Sequence, residues 1–155
     1  MDIIPKETRA AAVPGAERLI HLVENCADEL AREVAQTLRQ HPLTVHYRTI
    51  PEKDVYDRAR RVFSNLEQWL SQKSEREDVA RYYAALGAQR HEERVPLSEV
   101  LHALNICRRV LWQNVIEHGL LDTVYDFVQA LELQHQVLLF FDRAIFYTAR
   151  GYEGG

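Results

Sequence analysis

Apolar residues recur along most of this chain at the three-and-four spacing of an α-helix, and prolines and glycines fall between the periodic stretches. Leu19, Val23, Cys26, Leu30, Val34 and Leu38 form one such stripe and predict a first helix over residues 17–40. Pro42 ends it, because the residue ahead of a proline is pushed out of the helical region. Residues 43–50 could pass for a short strand, but it would have no partner, so they read as a connector. Thr49, Pro51 and Glu52 then make a helix start: a capping hydroxyl, followed by proline and acid in the first turn. Val55, Ala59, Val62, Phe63, Leu66, Trp69 and Leu70 carry that second helix to about Gln72. Ser74 caps a third, which opens on Glu75, Glu77 and Asp78 and runs to about Glu93. Pro96 separates it from a fourth helix over residues 97–118, ended by Gly119. The core stripe expected there is Leu97, Val100, Leu101, Leu104, Leu111 and Val115.

The fifth helix is expected from near Leu121 to about Arg150, stopped by Gly151, and its pattern differs. Over residues 137–147 almost every side is apolar, so every side must be covered. One face packs on its own domain and another meets a second copy. Leu139, Phe140, Ile145, Phe146 and Tyr147 are the expected dimer contacts. Trp69 and Trp112 read as core or interface anchors. The sum is an all-α domain of about five helices over residues 17–152. A lead-in over residues 1–16 precedes it, and residues 153–155 are a tail or the start of a linker.

A length of 155 residues suits one domain with one core, and 46% hydrophobic with 27% charged residues is ordinary for a globular protein. The net charge of −4 argues against a nucleic-acid surface, which needs clustered Lys and Arg. The densest basic cluster, Arg58, Arg60 and Arg61, is diluted by Glu52, Asp54 and Asp57 and reads as a solvated helix face. Cys26 and Cys107 are too far apart for a disulfide framework or a zinc site and read as buried thiols in a reducing cytoplasm. The N-terminus lacks the plan of a signal peptide, and the longest uncharged run, residues 133–141, is too short to span a bilayer. The expected location is the cytoplasm, with no membrane insertion.

Two Glu-x-x-His elements, Glu99/His102 and Glu132/His135, invite comparison with ferritin-like di-iron bundles. Such a site needs both pairs inside the bundle. Helical phase puts Glu99 and His102 opposite the expected core stripe, and His135 beside Leu131 and Leu138 on a core-facing one. One inward motif makes no di-iron site. A haem would need an inward histidine in an apolar pocket, with His135 and His21 as candidates. Arg108 falls on the core side between Leu104 and Leu111, where a buried guanidinium needs a carboxylate. It either braces the bundle or binds an anionic ligand, so Arg108 and His135 are the candidate ligand-binding residues. No nucleophile elbow, P-loop or Rossmann glycine pattern is present, and no enzymatic activity is expected.

The residues 82–112 carry a more specific signal: Leu86-Gly87, Arg90 and Glu93, then Val95-Pro96-Leu97-Ser98-Glu99-Val100, Leu104, Arg108-Arg109 and Leu111-Trp112. With Phe141-Asp142-Arg143-Ala144 and Arg150-Gly151-Tyr152-Glu153, this block resembles the N-terminal sensory domain of RsbRD-type co-antagonists of the RsbT kinase, the stressosome regulators. Related modules precede PucR-like regulators and some histidine kinases. The resemblance implies a globin-like fold without haem, a homodimer, and a signal passed along the last helix to a STAS, kinase or DNA-binding output domain. The chain stops at Gly155, where an output domain would begin, so it is expected to be either a free-standing sensor or an excised input domain. The rival expectation is a haem- or metal-binding sensor.

Overall fold

The computed structural model describes residues 16–71 and 76–154, and among them every regular element is helical. The elements are α1 (Ala16–Asn25), α2 (Ala27–Gln40), a 3-10 turn (Val45–Thr49), α3 (Glu52–Ser64), α4 (Leu66–Leu70), α5 (Arg76–Glu92), α6 (Leu97–His118) and α7 (Val124–Gly154). The all-α bundle is as expected. Among the described residues seven helices replace the expected five, because two of the expected ones are each divided.

The first division falls at Cys26, whose N–H is shared between the carbonyls of Leu22 (3.2 Å) and Val23 (3.0 Å). The two halves differ in their partners: α1 packs on α3, α4, α6 and α7, while α2 packs chiefly on α3 and α6. The second falls at Asn65, whose side-chain amide donates to the Arg61 carbonyl at 2.8 Å. Nearly all the expected inward residues of these helices are buried, with Cys26 and Leu70 half-buried. Thr49 does not cap α3. Its hydroxyl donates to the His46 carbonyl at 2.7 Å and closes the 3-10 turn, leaving Pro51 at the helix start. The Ser74 cap, the lead-in before residue 16 and Gly155 lie outside the described residues.

Two helix ends differ from expectation for steric reasons. Gly119 keeps a helical φ of −77° and Leu120 takes the left-handed conformation at 52°. Gly119 is there for closeness, since a Cβ would run into the Val115 carbonyl oxygen and sit 3.2 Å from Leu19 Cδ2. Thr123 and Asp126 then start α7 with a reciprocal capping box: Thr123 N–H donates to the Asp126 carboxylate (3.0 Å) and Asp126 N–H to the Thr123 hydroxyl (3.1 Å). Gly151 does not stop α7, which runs on to Gly154. It lies inside the most extensive helix pair of the fold, α5 against α7. A Cβ on Gly151 would run into the Ala84 carbonyl, and one on Gly87 into the Thr148 carbonyl, so these two glycines let the backbones touch.

The core is one cluster, centred on Trp69, Tyr83, Phe140 and Phe141, whose rings meet at 5.2 to 6.3 Å. On α6 the buried arc is turned from the expected stripe toward Ala103, Ile106, Val110 and Asn114, leaving Leu97 and Leu101 half-buried. This helix is flanked by α1, α2, α5 and α7, so more than one stripe of it is covered.

Candidate functional site

Three buried or half-buried features and one exposed surface are the candidate sites of the bundle. The first is an ionic knot around Arg90, which is 2% exposed. Val79, Tyr83, Leu86 and Arg90 are all buried at three-and-four spacing, so the guanidinium sits on the core stripe of α5. It donates to Glu93 at 2.8 Å and to Asp54 of α3 at 3.0 Å, with its carbon 5.5 Å from the Tyr47 ring centroid. Burial works to lower the Arg90 pKa, but Tyr47, Glu93 and Asp54 outweigh it and the net shift is upward. Burial pushes the Tyr47 phenol up to about 12.

The α5–α6 joint lies beside this knot. Arg94 has φ 61°, its N–H bonds the His91 carbonyl (3.0 Å), and Val95 N–H bonds the Arg90 carbonyl (3.0 Å). That is a Schellman close, here without the usual glycine. Tyr152 of α7 donates to the Val95 carbonyl at 2.7 Å, tying the last helix to the joint.

The second feature is a cavity of about 60 Å³ between α2, α3, α5 and α6, reached from α7 by Phe141. Val34, Leu38, Val62, Ala103 and Leu104 are among its apolar walls, with Tyr83, Cys107, Arg58 and Arg90 supplying polar groups. Burial raises the Tyr83 phenol well above its usual range and pushes the Cys107 thiol up to about 12, so both are neutral.

The third lies where the 3-10 turn meets α6. Glu99, expected outside, is 7% exposed. Its carboxylate accepts the His46 N–H at 2.9 Å and also contacts His46 Nδ1, and these bonds compensate its burial. His102, likewise expected outside, is half-buried. Its ring lies 4.9 Å from that of His41, and its Nε2 is buried without a partner. Burial lowers the His102 pKa, helped by His41 and Arg109.

The fourth is a surface. Val124, Phe127, Val128, Leu131, Leu138, Leu139 and Phe146 are all exposed on α7, Leu131 by 62% and Phe146 by 54%. Val124, Val128, Leu131, His135, Leu138, Asp142 and Ile145 follow alternating steps of four and three, a stripe about 30 Å long on one side of the helix.

The expected site residues are distributed among these features unevenly. His135 is exposed on the α7 stripe, not turned to the core, and Leu131 and Leu138 beside it are exposed too. Arg108 is half-buried at the edge of the α6 arc and lines no part of the cavity. Of the expected dimer contacts, Leu139 and Phe146 are exposed, Ile145 and Tyr147 are half-buried, and Phe140 is wholly buried. Phe140 is therefore corrected to a core residue, because the aromatic cluster with Trp69 and Tyr83 claims it. Neither histidine offered for haem fits: His21 and His135 are both exposed, and the cavity holds no histidine and is far smaller than a cofactor pocket of roughly 300 Å³ or more. His21 instead meets Glu24 and Glu67, the one group among the described residues whose potential metal-ligand atoms converge within 4.8 Å. The Arg90 knot and the cavity were not singled out as sites from sequence. Arg90 had a visible signal, its phase with Val79, Tyr83 and Leu86. The cavity had none.

Among the described residues no helix is long and apolar enough to cross a membrane. Residues 10–154 match the family described as the RsbT co-antagonist protein rsbRD N-terminal domain. No curated protein and no solved structure gives a significant match.

Proposed function

The chain belongs to the RsbRD N-terminal domain family, a family of regulatory domains, and on that premise we propose that it is a non-enzymatic sensory input unit of bacterial signal transduction. It works as a homodimer in the cytoplasm. Two copies pair along α7, and the shift of one α7 against the other is what reaches an output domain or partner of the STAS, kinase or DNA-binding kind. The observation that carries this reading is the exposed apolar stripe of α7. A row of large apolar side chains on one helix face is the usual mark of an association surface. Its three-and-four spacing suits a helix–helix seam, with the polar His135 and Asp142 as register-setting positions. Leu139, Ile145, Phe146 and Tyr147 remain contact candidates at its C-terminal end, and Leu131 and Leu138 extend it toward the N-terminus.

Sedimentation equilibrium tests the dimer. The wild-type chain is expected to be dimeric, and Leu131→Glu with Leu138→Glu monomeric with an unchanged helical spectrum, because both side chains are exposed in the single chain. A monomeric wild type overturns the reading. The relay is tested in a protein carrying an output domain after α7. Inserting two residues behind Gly154 turns the following helix by about 200° and should break the response, while inserting seven nearly restores the phase and should keep it.

A further inference from the structure

We propose that the central cavity is the input site of this domain and takes an uncharged, apolar molecule of about two to four heavy atoms. The inference rests on the sensory reading above only for what the ligand means, not for its binding.

Size and wall chemistry set the ligand class. A space of about 60 Å³ lies well above the roughly 10–15 Å³ that one water needs and well below the roughly 150 Å³ that accommodates benzene. A water would need two to four polar partners, and this wall is chiefly Val, Leu, Ala and Phe side chains. Tyr47, Tyr83 and Cys107 are neutral. The two guanidiniums are balanced by carboxylates, Arg90 by Asp54 and Glu93 and Arg58 by Asp54 at 3.6 Å, although the buried Nε–H of each has no hydrogen-bond partner. No free charge is left to hold an ionic ligand. Access is available as well. Every wall residue is buried except Arg58, Tyr82 and Cys107, and Arg58 lies 6.0 Å over the Tyr82 ring, so two long side chains cover the route in.

Position gives the cavity a means of signalling. Phe141 is its one contribution from α7, and it points inward from the helix whose outer face carries Leu138 and Asp142. A ligand against the Phe141 ring opposes inward movement of α7 at mid-length. It therefore favours one position of that helix over another, which is all that a population shift requires.

Xenon is the probe, because it is apolar, uncharged and of the right size. Titrated by gas pressure, it is expected to shift the NMR resonances of the Ala103 and Val100 methyls and the Phe141 ring in the wild-type chain. Benzene at saturation is expected to leave them unmoved. Ala103→Val, which fills the space from α6, should abolish the xenon response; if that variant does not fold, Ala59→Val fills it from α3. Unmoved wild-type resonances, a xenon response that survives filling, or benzene binding at the same residues each overturn the proposal. Xenon binding by a chain that never dimerises leaves this site standing and removes the relay, whereas a dimer blind to xenon does the reverse.

Discussion

The close crossing of α5 and α7 offers the sharpest test of the fold, through Gly151→Ala. The built methyl would lie 2.6 Å from Ala84 Cα and nearer still to the Ala84 carbonyl oxygen, about 0.8 Å or more inside ordinary contact. Neither neighbour is a side chain that can rotate away, so α5 and α7 must separate. Alanine in a helix interior gains about 1 kcal/mol over glycine. Overpacking costs about 1–3 kcal/mol, and a backbone clash belongs at the top of that range. The net expectation is a loss of about 2 kcal/mol in urea unfolding followed by far-UV circular dichroism, equal to a roughly 30-fold fall in the folded-to-unfolded ratio. Gly87→Ala meets the Thr148 carbonyl and Tyr152 N (2.7 Å) at the same crossing. One separation relieves both methyls, so the double variant should lose clearly less than the sum of the two. Gly154→Ala has nothing within 4 Å and serves as the control, neutral or slightly stabilising. A Gly151→Ala chain as stable as wild type would refute the close crossing, and strict additivity would refute the shared separation.

Three further outcomes follow from the polar features. Arg90→Met should cost about 2 kcal/mol in the same assay, since it leaves Glu93 without its partner and Asp54 with only Arg58 at 3.6 Å; an effect under about 1 kcal/mol would mean the knot is solvated. Arg94→Gly should raise stability by about 1 kcal/mol by removing the left-handed strain at φ 61°, and destabilisation there would contradict the Schellman close. His102 has its folded pKa lowered below 6.5, first by burial and then by His41 and Arg109. The unfolded chain therefore takes up its proton first as pH falls. The stability this group contributes is complete above about 6.5 and is lost as pH drops toward the folded value. Tm between pH 7.5 and 5.5 should consequently fall further in wild type than in His102→Gln, and equal falls would locate the pH sensitivity elsewhere.

Periodicity by itself determined the class of this protein, because burying one stripe per helix is a local demand written at three-and-four spacing. Leu19 to Leu38 and Val55 to Trp69 lie inward as their spacing requires, and Pro42 and Pro96 mark joints because proline restricts the backbone wherever it stands. The family was legible for a related reason, since Leu86-Gly87, Arg90, Glu93 and Val95-Pro96 build the α5–α6 joint and its ionic knot. What needed the tertiary structure was every choice between two compatible partners. Gly151 reads as a stop until α5 is seen lying against it, and Glu99 reads as a solvated acid until the 3-10 turn brings His46 to its carboxylate. Phe140 and Leu139 are neighbours of equal apolarity, yet one fills the aromatic core and the other faces outward on the α7 stripe, because only the position of Trp69 and Tyr83 sets which side of α7 is inside. The cavity belongs to this second kind. A void is the space that five packed helices leave among them, and no single stretch of sequence encodes it.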